Sequence, residues 1–355
     1  MARFVKNEST LPADFRRKGI TFKLGKHSMF REMNIAIFTG GDSSEYVISM
    51  KSAQQVLNWL TAAGHACYLV EARKDKWTVH LGKKRVPLDR NNFSFSNRGE
   101  RVRFDFVWNT IHGTPGEDGK LQGYFDIMGI PYSSSSHFSS ALTFNKYACK
   151  SFLRQHQILT PEASLVRKNM ETDLEAVATL VGLPCFVKPN NGGSSFGTTK
   201  VVRFEELQPA LNEALKEDDE AIVERFIKGT EVTCGLMKGK EGFTLFPITE
   251  IVSENEFFDF EAKYTQGKAQ EITPARIDED TAKKCQEIAM EVYNLTDCSG
   301  IVRVDIIIKG NQVYFLELNS IPGMSEESII PKQVAGMGMN METILQQVID
   351  GKLGR

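Results

Sequence analysis

From Asn34 onward the chain alternates short apolar runs with amphipathic stretches, and this alternation constrains its fold more than any other feature. Ile35–Thr39 reads as a buried strand and Gly40-Gly41-Asp42-Ser43-Ser44-Glu45 as a turn. Ser49–Ala63 then sets Met50, Ala53, Val56, Leu57 and Leu60 at helical spacing, with Gly64 as the stop. Cys67–Val70 and Phe104–Trp108 repeat the strand pattern, and Gly119–Met128 repeats the helix. Strands alternating with helices imply βαβ units on a parallel sheet. The fold class is therefore α/β, and the first domain runs to the serine cluster Ser133–Ser136. At 355 residues the chain exceeds one small core and implies two or three domains.

A second unit opens with a helix around Ser139–Gln155. It continues through a helix near Thr172–Leu180, strand Cys185–Lys188, a polar loop, strand Thr198–Val202, helix Phe204–Lys216 and strand Ala221–Glu224. A third holds strands near Glu231–Met237 and Leu245–Ile251, then a polar stretch from Ser253 to Thr273. Helix Asp278–Tyr293, a hairpin and a terminal helix near Met341–Ile349 follow. An aperiodic stretch of that length inside a compact domain is usually functional, so 253–275 reads as a lid. The expected domains are 33–138, 139–228 and 229–355. Residues 1–32 are rich in Arg and Lys and have no apolar h-region, which excludes a secretory signal. They read as a loosely attached extension, or as sequence before a natural start at Met33.

The hairpin carries the first chemical signal. Ile301-Val-Arg303-Val-Asp305-Ile-Ile-Ile and Val313-Tyr-Phe-Leu-Glu317-Leu-Asn319 flank a Gly310-Asn311 turn. Arg303 and Asp305 share one face, with Glu317 and Asn319 expected opposite them. Opposed carboxylates repel unless a proton or cation separates them, and an all-oxygen set suits Mg²⁺. The competing reading is a solvent-facing strand on which Arg303 neutralises the acids.

Other motifs surround it. Lys188-Pro-Asn-Asn-Gly-Gly-Ser194-Ser195-Phe-Gly197 joins two strands, and its glycines and serines offer donors to an anion. It lacks the Walker A pattern, and a tight polar loop is the alternative. A lysine ending an apolar strand is costly unless an anion meets it, which favours phosphate. Gly40–Glu45 lies at a strand-to-helix turn, where anions are attracted, though taken alone Glu45 there reads better as favouring the helix dipole. His112-Gly-Thr-Pro-Gly-Glu117-Asp118-Gly119 sits past the carboxyl end of a strand, where open α/β sheets bind ligands; Glu117 and Asp118 could instead be caps. Phe257-Phe-Asp-Phe-Glu261-Ala-Lys263-Tyr264 falls within the lid.

Composition excludes several classes. A net charge of −2 with pI about 6.4 does not suggest nucleic acid or an anionic membrane surface. No apolar run approaches the ~18 residues of a membrane span. The six scattered cysteines read as reduced thiols of a cytoplasmic protein.

Taken in order, Gly40-Gly-x-Ser-x-Glu45, His112-Gly-x-x-Gly-Glu-Asp-Gly119, Asn145-Lys146, Lys188-Pro…Gly-Ser194-Ser195-x-Gly197, Glu261-Ala-Lys-Tyr264, Arg303-x-Asp305 and Glu317-x-Asn-Ser-x-Pro-Gly-Met324 resemble the ATP-grasp superfamily, and within it the D-alanine–D-alanine ligase family. The resemblance spans residues 34–350. It implies a three-domain ATP-grasp architecture and ATP-dependent joining of two D-alanines through an acyl phosphate, for peptidoglycan. Lys146, Lys188 and Lys263 would hold the phosphates, with Ser194 and Ser195 in the loop over them. Glu224 and the Arg225, Phe226 and Ile227 backbone would read adenine, Glu231 would meet the ribose, and Phe257 and Leu316 would line the nucleotide site. Asp305, Glu317 and Asn319 would hold two Mg²⁺, or Mn²⁺ in their place. Glu45 would bind the first ammonium, Arg303 and the Gly323 N–H the developing oxyanion, and Ser328 the second carboxylate. His112 would influence the attacking amine. Ser194, Tyr264 and Glu45 would link the loops, and Tyr264 favours an amine over D-lactate as second substrate. A homodimer is implied as well. The departures Tyr46, Ile48, Phe196 and Ser320 remove no catalytic group. A D-alanyl-D-lactate ligase and a silent nucleotide-binding homologue are the alternatives; an NAD-dependent oxidoreductase lacks its fingerprint.

Overall fold

The computed structural model describes residues 32–193, 196–253 and 269–355. Residues 33–355 form one compact unit, and the extension expected over residues 1–32 lies, apart from Glu32, outside the described residues.

The N-terminal sheet runs, edge to edge, Lys84–Pro87, Lys76–Leu81, Ala66–Arg73, Asn34–Gly40 and Phe106–Asn109. Its last three strands are parallel, with Ile35 in register with Cys67 on one side and Phe106 on the other. Both faces of the central strand are buried, as a parallel sheet requires. Ile35 and Ile37 pack with Ala53, Val56 and Leu60 of helix Tyr46–Ala62, while Ala36 and Phe38 join an aromatic core with Phe93 and Phe125. The two edge strands are antiparallel additions absent from the sequence reading. Lys76, Lys84 and Arg85 mask their pattern, and only Val79 and Val86 are fully buried there.

The second sheet is wholly antiparallel: Thr199–Val201, Cys185–Pro189, Glu220–Arg225 and Ala163–Arg167. Two helices, Leu174–Val181 and Leu207–Glu217, pack on it. The third orders Ala269–Ile272, Thr249–Ser253, Thr230–Gly239, Val302–Lys309 and Gln312–Asn319. Gly242–Leu245 pairs with the distal half of Thr230–Gly239.

Three expected elements differ. The single helix over 139–155 is two, His137–Phe144 and Lys146–Gln155. Asn145 leaves helical geometry (φ −81°, ψ 100°) and its side chain accepts from Ala148 N at 2.9 Å, which starts the second helix. The strand expected over 245–251 is broken at Pro247, which has no N–H for a ladder. The described end of the expected lid, Ala269–Ile272, is a paired edge strand on Thr249–Ser253; residues 254–268 lie outside the described residues.

One core decides where the site forms. The N-terminal strands, helix Tyr46–Ala62 and helices Ile329–Gly336 and Met341–Lys352 share a single apolar cluster that includes Ile37, Leu60, Ile330 and Leu345. The loops leaving the N-terminal sheet are therefore fixed beside the segment that follows the hairpin.

Candidate active site

The strands Val302–Lys309 and Gln312–Asn319 pair Lys309 with Gln312 and Ile306 with Phe315. Continued unchanged, that register would put Leu316 opposite Asp305 and turn Glu317 toward Val304 on the core face. A one-residue bulge intervenes between Asp305 and Ile306. Leu316 is the extra residue, and beyond it Asp305 faces Glu317 and Arg303 faces Asn319. The convergence expected from the sequence occurs, and the bulge rather than the turn produces it. Val304, Ile306, Phe315 and Leu318 fill the core on the other face.

Asp305 already has partners. Arg303 grips it with Nε at 2.9 Å and Nη2 at 2.8 Å, and Thr233 Oγ1 donates to it at 2.5 Å. Arg303 Nη1 has no hydrogen-bond partner among the described residues. Glu317 Oε2 lies 3.7 Å from Lys146 Nζ, which also donates to the Gly192 carbonyl. Asn319 Oδ1 accepts from Ile321 N at 3.1 Å and keeps a second lone pair.

The anion that meets Lys188 is a carboxylate of the protein. Lys188 pairs with Ile222, so Glu224 lies diagonally across on the same face, and Lys188 Nζ is 2.7 Å from Glu224 Oε2. The other oxygen, Oε1, takes the ammonium of Lys150 from helix Lys146–Gln155. Burial pushes Lys150 down to about 8 against the pull of Glu224. The burial of Glu224 is outweighed by the two lysines, and its carboxyl stays below the usual range. Sequence reading missed Lys150, whose partner is 74 residues away.

Next to this triad, Phe226 stacks edge-on to Phe186 with centroids 5.7 Å apart, and Lys200 Nζ stands 4.6 Å from the Phe226 ring centroid. The Arg225 side chain caps helix Leu174–Val181, donating to the Val181 and Leu180 carbonyls at 2.7 and 3.0 Å. The N–H groups of Arg225 and Phe226 are taken by Glu162 and Pro184 carbonyls. That of Ile227 has no acceptor among the described residues. Glu231 and Leu316 line the same cleft.

Two loops leave the carboxyl ends of adjacent parallel strands. Gly40 sits at φ +103°, where a Cβ would stand 2.5 Å from the Ala72 carbonyl oxygen, and the turn it opens delivers Glu45 to the start of helix Tyr46–Ala62. The Glu45 carboxylate lies against Gly193, where a Cβ would be 2.8 Å from Oε1. The glycine-rich loop and the N-terminal glutamate thus meet at Gly193.

Helix Tyr46–Ala62 adds two buried serines that the sequence reading passed over. Ser49 Oγ accepts from His112 N at 3.0 Å and is 3.3 Å from the Glu45 carbonyl. Ser52 Oγ accepts from Met324 N at 3.2 Å and lies 3.4 Å from His112 Nε2. Their signal was present: two hydroxyls within an otherwise apolar stripe. Burial lowers the His112 pKa, with Glu45 opposing and Arg303 assisting, so the ring is neutral near pH 7. Glu117 is also buried. Its Oε2 accepts from Gly113 N at 2.7 Å, and burial followed by the Glu45 charge pushes it up to about 8. Gly323 lies beside Ser328, whose Oγ would be 2.8 Å from a Cβ there and accepts from Ser325 N at 3.1 Å.

All these groups line one cleft of about 1600 Å³, apart from the buried Lys150, Ser49 and Ser52 behind its wall. That exceeds the roughly 300–1,000 Å³ of a typical small-molecule site and leaves room for more than one ligand. No group of three His, Cys, Asp or Glu able to hold a metal occurs among the described residues. The donor set nonetheless fits a hard cation: two facing carboxylates and a carboxamide oxygen, each now neutralised or satisfied by a protein donor. Ser194, Ser195, Phe257, Lys263 and Tyr264 lie outside the described residues. No described helix is long and apolar enough to cross a membrane, and all six cysteines are free.

Residues 34–135 match the sequence model of the D-ala D-ala ligase N-terminus, and residues 153–350 that of the D-ala D-ala ligase C-terminus. A D-alanine–D-alanine ligase of Phocaeicola vulgatus is 49% identical over 321 residues, 90% of this chain and 98% of the relative. One from Bacteroides fragilis strain YCH46 is 46% identical over 90% of this chain and 99% of its own. Among solved structures, the VanG D-Ala:D-Ser ligase from Enterococcus faecalis superposes with a TM-score of 0.81 at 30% identity, covering 91% of this chain and 100% of that one. A D-alanine–D-alanine ligase from Bacillus anthracis complexed with ATP gives a TM-score of 0.73 at 26% identity, covering 90% and 97%.

Proposed function

The chain belongs to the D-alanine–D-alanine ligase family, with its ATP-grasp fold, and from that premise we propose how its own residues perform the reaction. The enzyme is an ATP-dependent, ADP-forming ligase that joins two D-alanines for peptidoglycan synthesis. The observation that carries the mechanism is the bulged hairpin, which gathers Asp305, Glu317, Asn319 and Arg303 opposite Lys146 and the Lys188–Glu224 pair.

Lys146 and Lys188 hold the α- and β-phosphates, and Lys263 meets the γ-phosphate under loop residues Ser194 and Ser195. Glu224 and the Ile227 N–H read the adenine edge, Glu231 the ribose, and Phe257 and Leu316 flank the base. Asp305, Glu317 and Asn319 hold two Mg²⁺, for which Mn²⁺ can substitute; when bound, the metal neutralises and orients the phosphates. Glu45 pairs with the ammonium of the first D-alanine, aiming its carboxylate in line with the γ-phosphorus. A carboxylate O–P bond forms as the bond to ADP breaks, which gives the acyl phosphate.

Ser328 anchors the carboxylate of the second D-alanine. Neutral His112 takes up its ammonium proton, and the free amine attacks the acyl carbon. Arg303 and the Gly323 N–H meet the oxyanion of the tetrahedral intermediate, a contribution on the order of 10²–10³ in rate per donor. Collapse expels phosphate and leaves the amide. Tyr264, Ser194 and Glu45 close the loops over this step. We extend the reading to domains 33–138, 139–228 and 229–355, to a cytoplasmic homodimer, and to neither membrane nor nucleic acid as partner.

Phosphate release from ATP, measured across D-alanine, D-serine and D-lactate, tests the reading. The expected result is Mg²⁺-dependent release that requires D-alanine and yields the dipeptide. Release independent of D-alanine, or none at all, would overturn it.

A further inference from the structure

Lys150 is buried beside the nucleotide wall, and the reaction scheme gives it no task. It follows Lys146 by one helical turn, so both lysines leave the same face of helix Lys146–Gln155. Lys146 reaches the Gly192 carbonyl and Glu317 in the cleft. Lys150 does not line the cleft. Its ammonium is spent on Glu224 Oε1, behind the oxygen that takes Lys188 at 2.7 Å. Two ammoniums on one buried carboxylate leave a net positive charge, an arrangement that burial alone disfavours. Its consequence is geometric. With one oxygen fixed from behind, rotation of Glu224 would break the Lys150 contact and a proton on it would face two ammoniums, while Lys188 shares its carboxylate at the cleft surface.

We propose that Lys150 is a positioning residue for nucleotide specificity, pinning Glu224 as an ionised acceptor so that the site takes a 6-amino purine and rejects a 6-oxo purine. The inference rests on the reading of Glu224 as the group facing the adenine edge. An ionised carboxylate is acceptor-only, whereas a protonated one can donate. A fixed carboxylate therefore bonds the adenine amino group and repels an inosine carbonyl oxygen. Released from Lys150, Glu224 can protonate or turn wholly to Lys188, and either change erases the distinction.

The test compares kcat/KM for ATP and inosine triphosphate, with D-alanine saturating, in wild type, Lys150→Met, Lys150→Arg and Glu224→Gln. For Lys150→Met the ATP-to-inosine triphosphate ratio should fall about tenfold or more. The loss should lie mainly in KM for ATP, with KM for D-alanine within about twofold. Arginine should restore most of the ratio. If both nucleotides weaken together and the ratio holds, Lys150 is merely structural and the proposal fails. If Glu224→Gln collapses the ratio while Lys150→Met does not, the proposal fails and the reading of Glu224 stands. If Glu224→Gln leaves the ratio untouched, the reading of Glu224 itself fails. Should Lys150→Met not fold, Lys150→Leu carries the same comparison, lacking donor and charge alike, and an unchanged ratio overturns the proposal equally.

Discussion

Replacing Glu117 by glutamine should remove a loss of stability that the wild type suffers as pH rises. The carboxyl is buried against the Gly113 N–H at 2.7 Å. Burial first, and then the charge of Glu45, push it up to about 8 from an ordinary 4.5; Glu317 adds to the rise, while the Gly113 N–H and Lys146 oppose it. That gap corresponds to at most about 5 kcal/mol. Glu45, Glu317, Lys146 and His112 readjust as Glu117 ionises, and water in the cleft screens the charge, so we take about 2 kcal/mol. The sign is fixed by proton binding. Between pH 4.5 and 8 the folded chain holds a proton that the unfolded chain releases, so the contribution is complete below 4.5 and is lost as pH climbs through 8. Glutamine cannot ionise, has nearly the same volume, and still accepts from Gly113. Thermal unfolding of both chains from pH 5 to 8.5 cancels every titration they share. The variant should melt near the wild type at pH 5 and about 3 °C above it at pH 8.5. Parallel curves, or a variant weakened most at pH 8.5, would refute the reasoning.

Three further outcomes follow from the geometry. Glu317→Gln should abolish turnover, cutting kcat by about 10²-fold or more, and near-normal phosphate release would remove Glu317 from the metal site. Ser52→Ala leaves Met324 N and His112 Nε2 without their shared hydroxyl; kcat should drop about tenfold with KM for ATP unchanged, and Ser52→Thr should recover most of it in steady-state assays. Deleting Leu316 should give a folded chain, because the ladder then continues in the register set at the turn with Glu317 still opposite Asp305. Mg²⁺ dependence should survive while KM for ATP rises; an unfolded product would show that the bulge itself is required.

The hairpin shows what a sequence makes legible and what it hides. Alternation along each strand assigned Arg303, Asp305, Glu317 and Asn319 to one shared face, because polar residues recurring every second place in an apolar run have one face to share. Yet strict counting from Gly310-Asn311 opposes Asp305 to Leu316. Nothing in Phe315-Leu316-Glu317 announces that a residue will be skipped; the cost of burying Glu317 against the core decides it. Lys150 and Thr233 were hidden for a different reason. Each acts on a carboxylate more than 70 residues away in sequence, so no local spacing marks them. The edge strands Lys76–Leu81 and Lys84–Pro87 escaped notice because half-solvated strands carry little apolar signal. Asn145 stands beside Lys146 in a motif, and its side chain is also a helix start, which spacing alone does not mark.

These same partners determine how the site responds to its ligands. Asp305 is paired with Arg303, Glu317 lies near Lys146, and Glu224 is shared by Lys150 and Lys188. A metal ion arriving at Asp305 and Glu317 therefore competes with a guanidinium and an ammonium, while a polyphosphate draws those same cations toward itself. Neither ligand alone leaves the charges balanced: metal alone would crowd cations together, and nucleotide alone would strip the carboxylates of their partners. Bound together at the proposed positions they would exchange ion pairs without uncovering a buried charge, and their binding would be mutually favourable. On the proposed mechanism, an Arg303 released in this way would be available to the oxyanion. Its grip on Asp305 would then be a resting arrangement, exchanged for the oxyanion if metal takes the carboxylate.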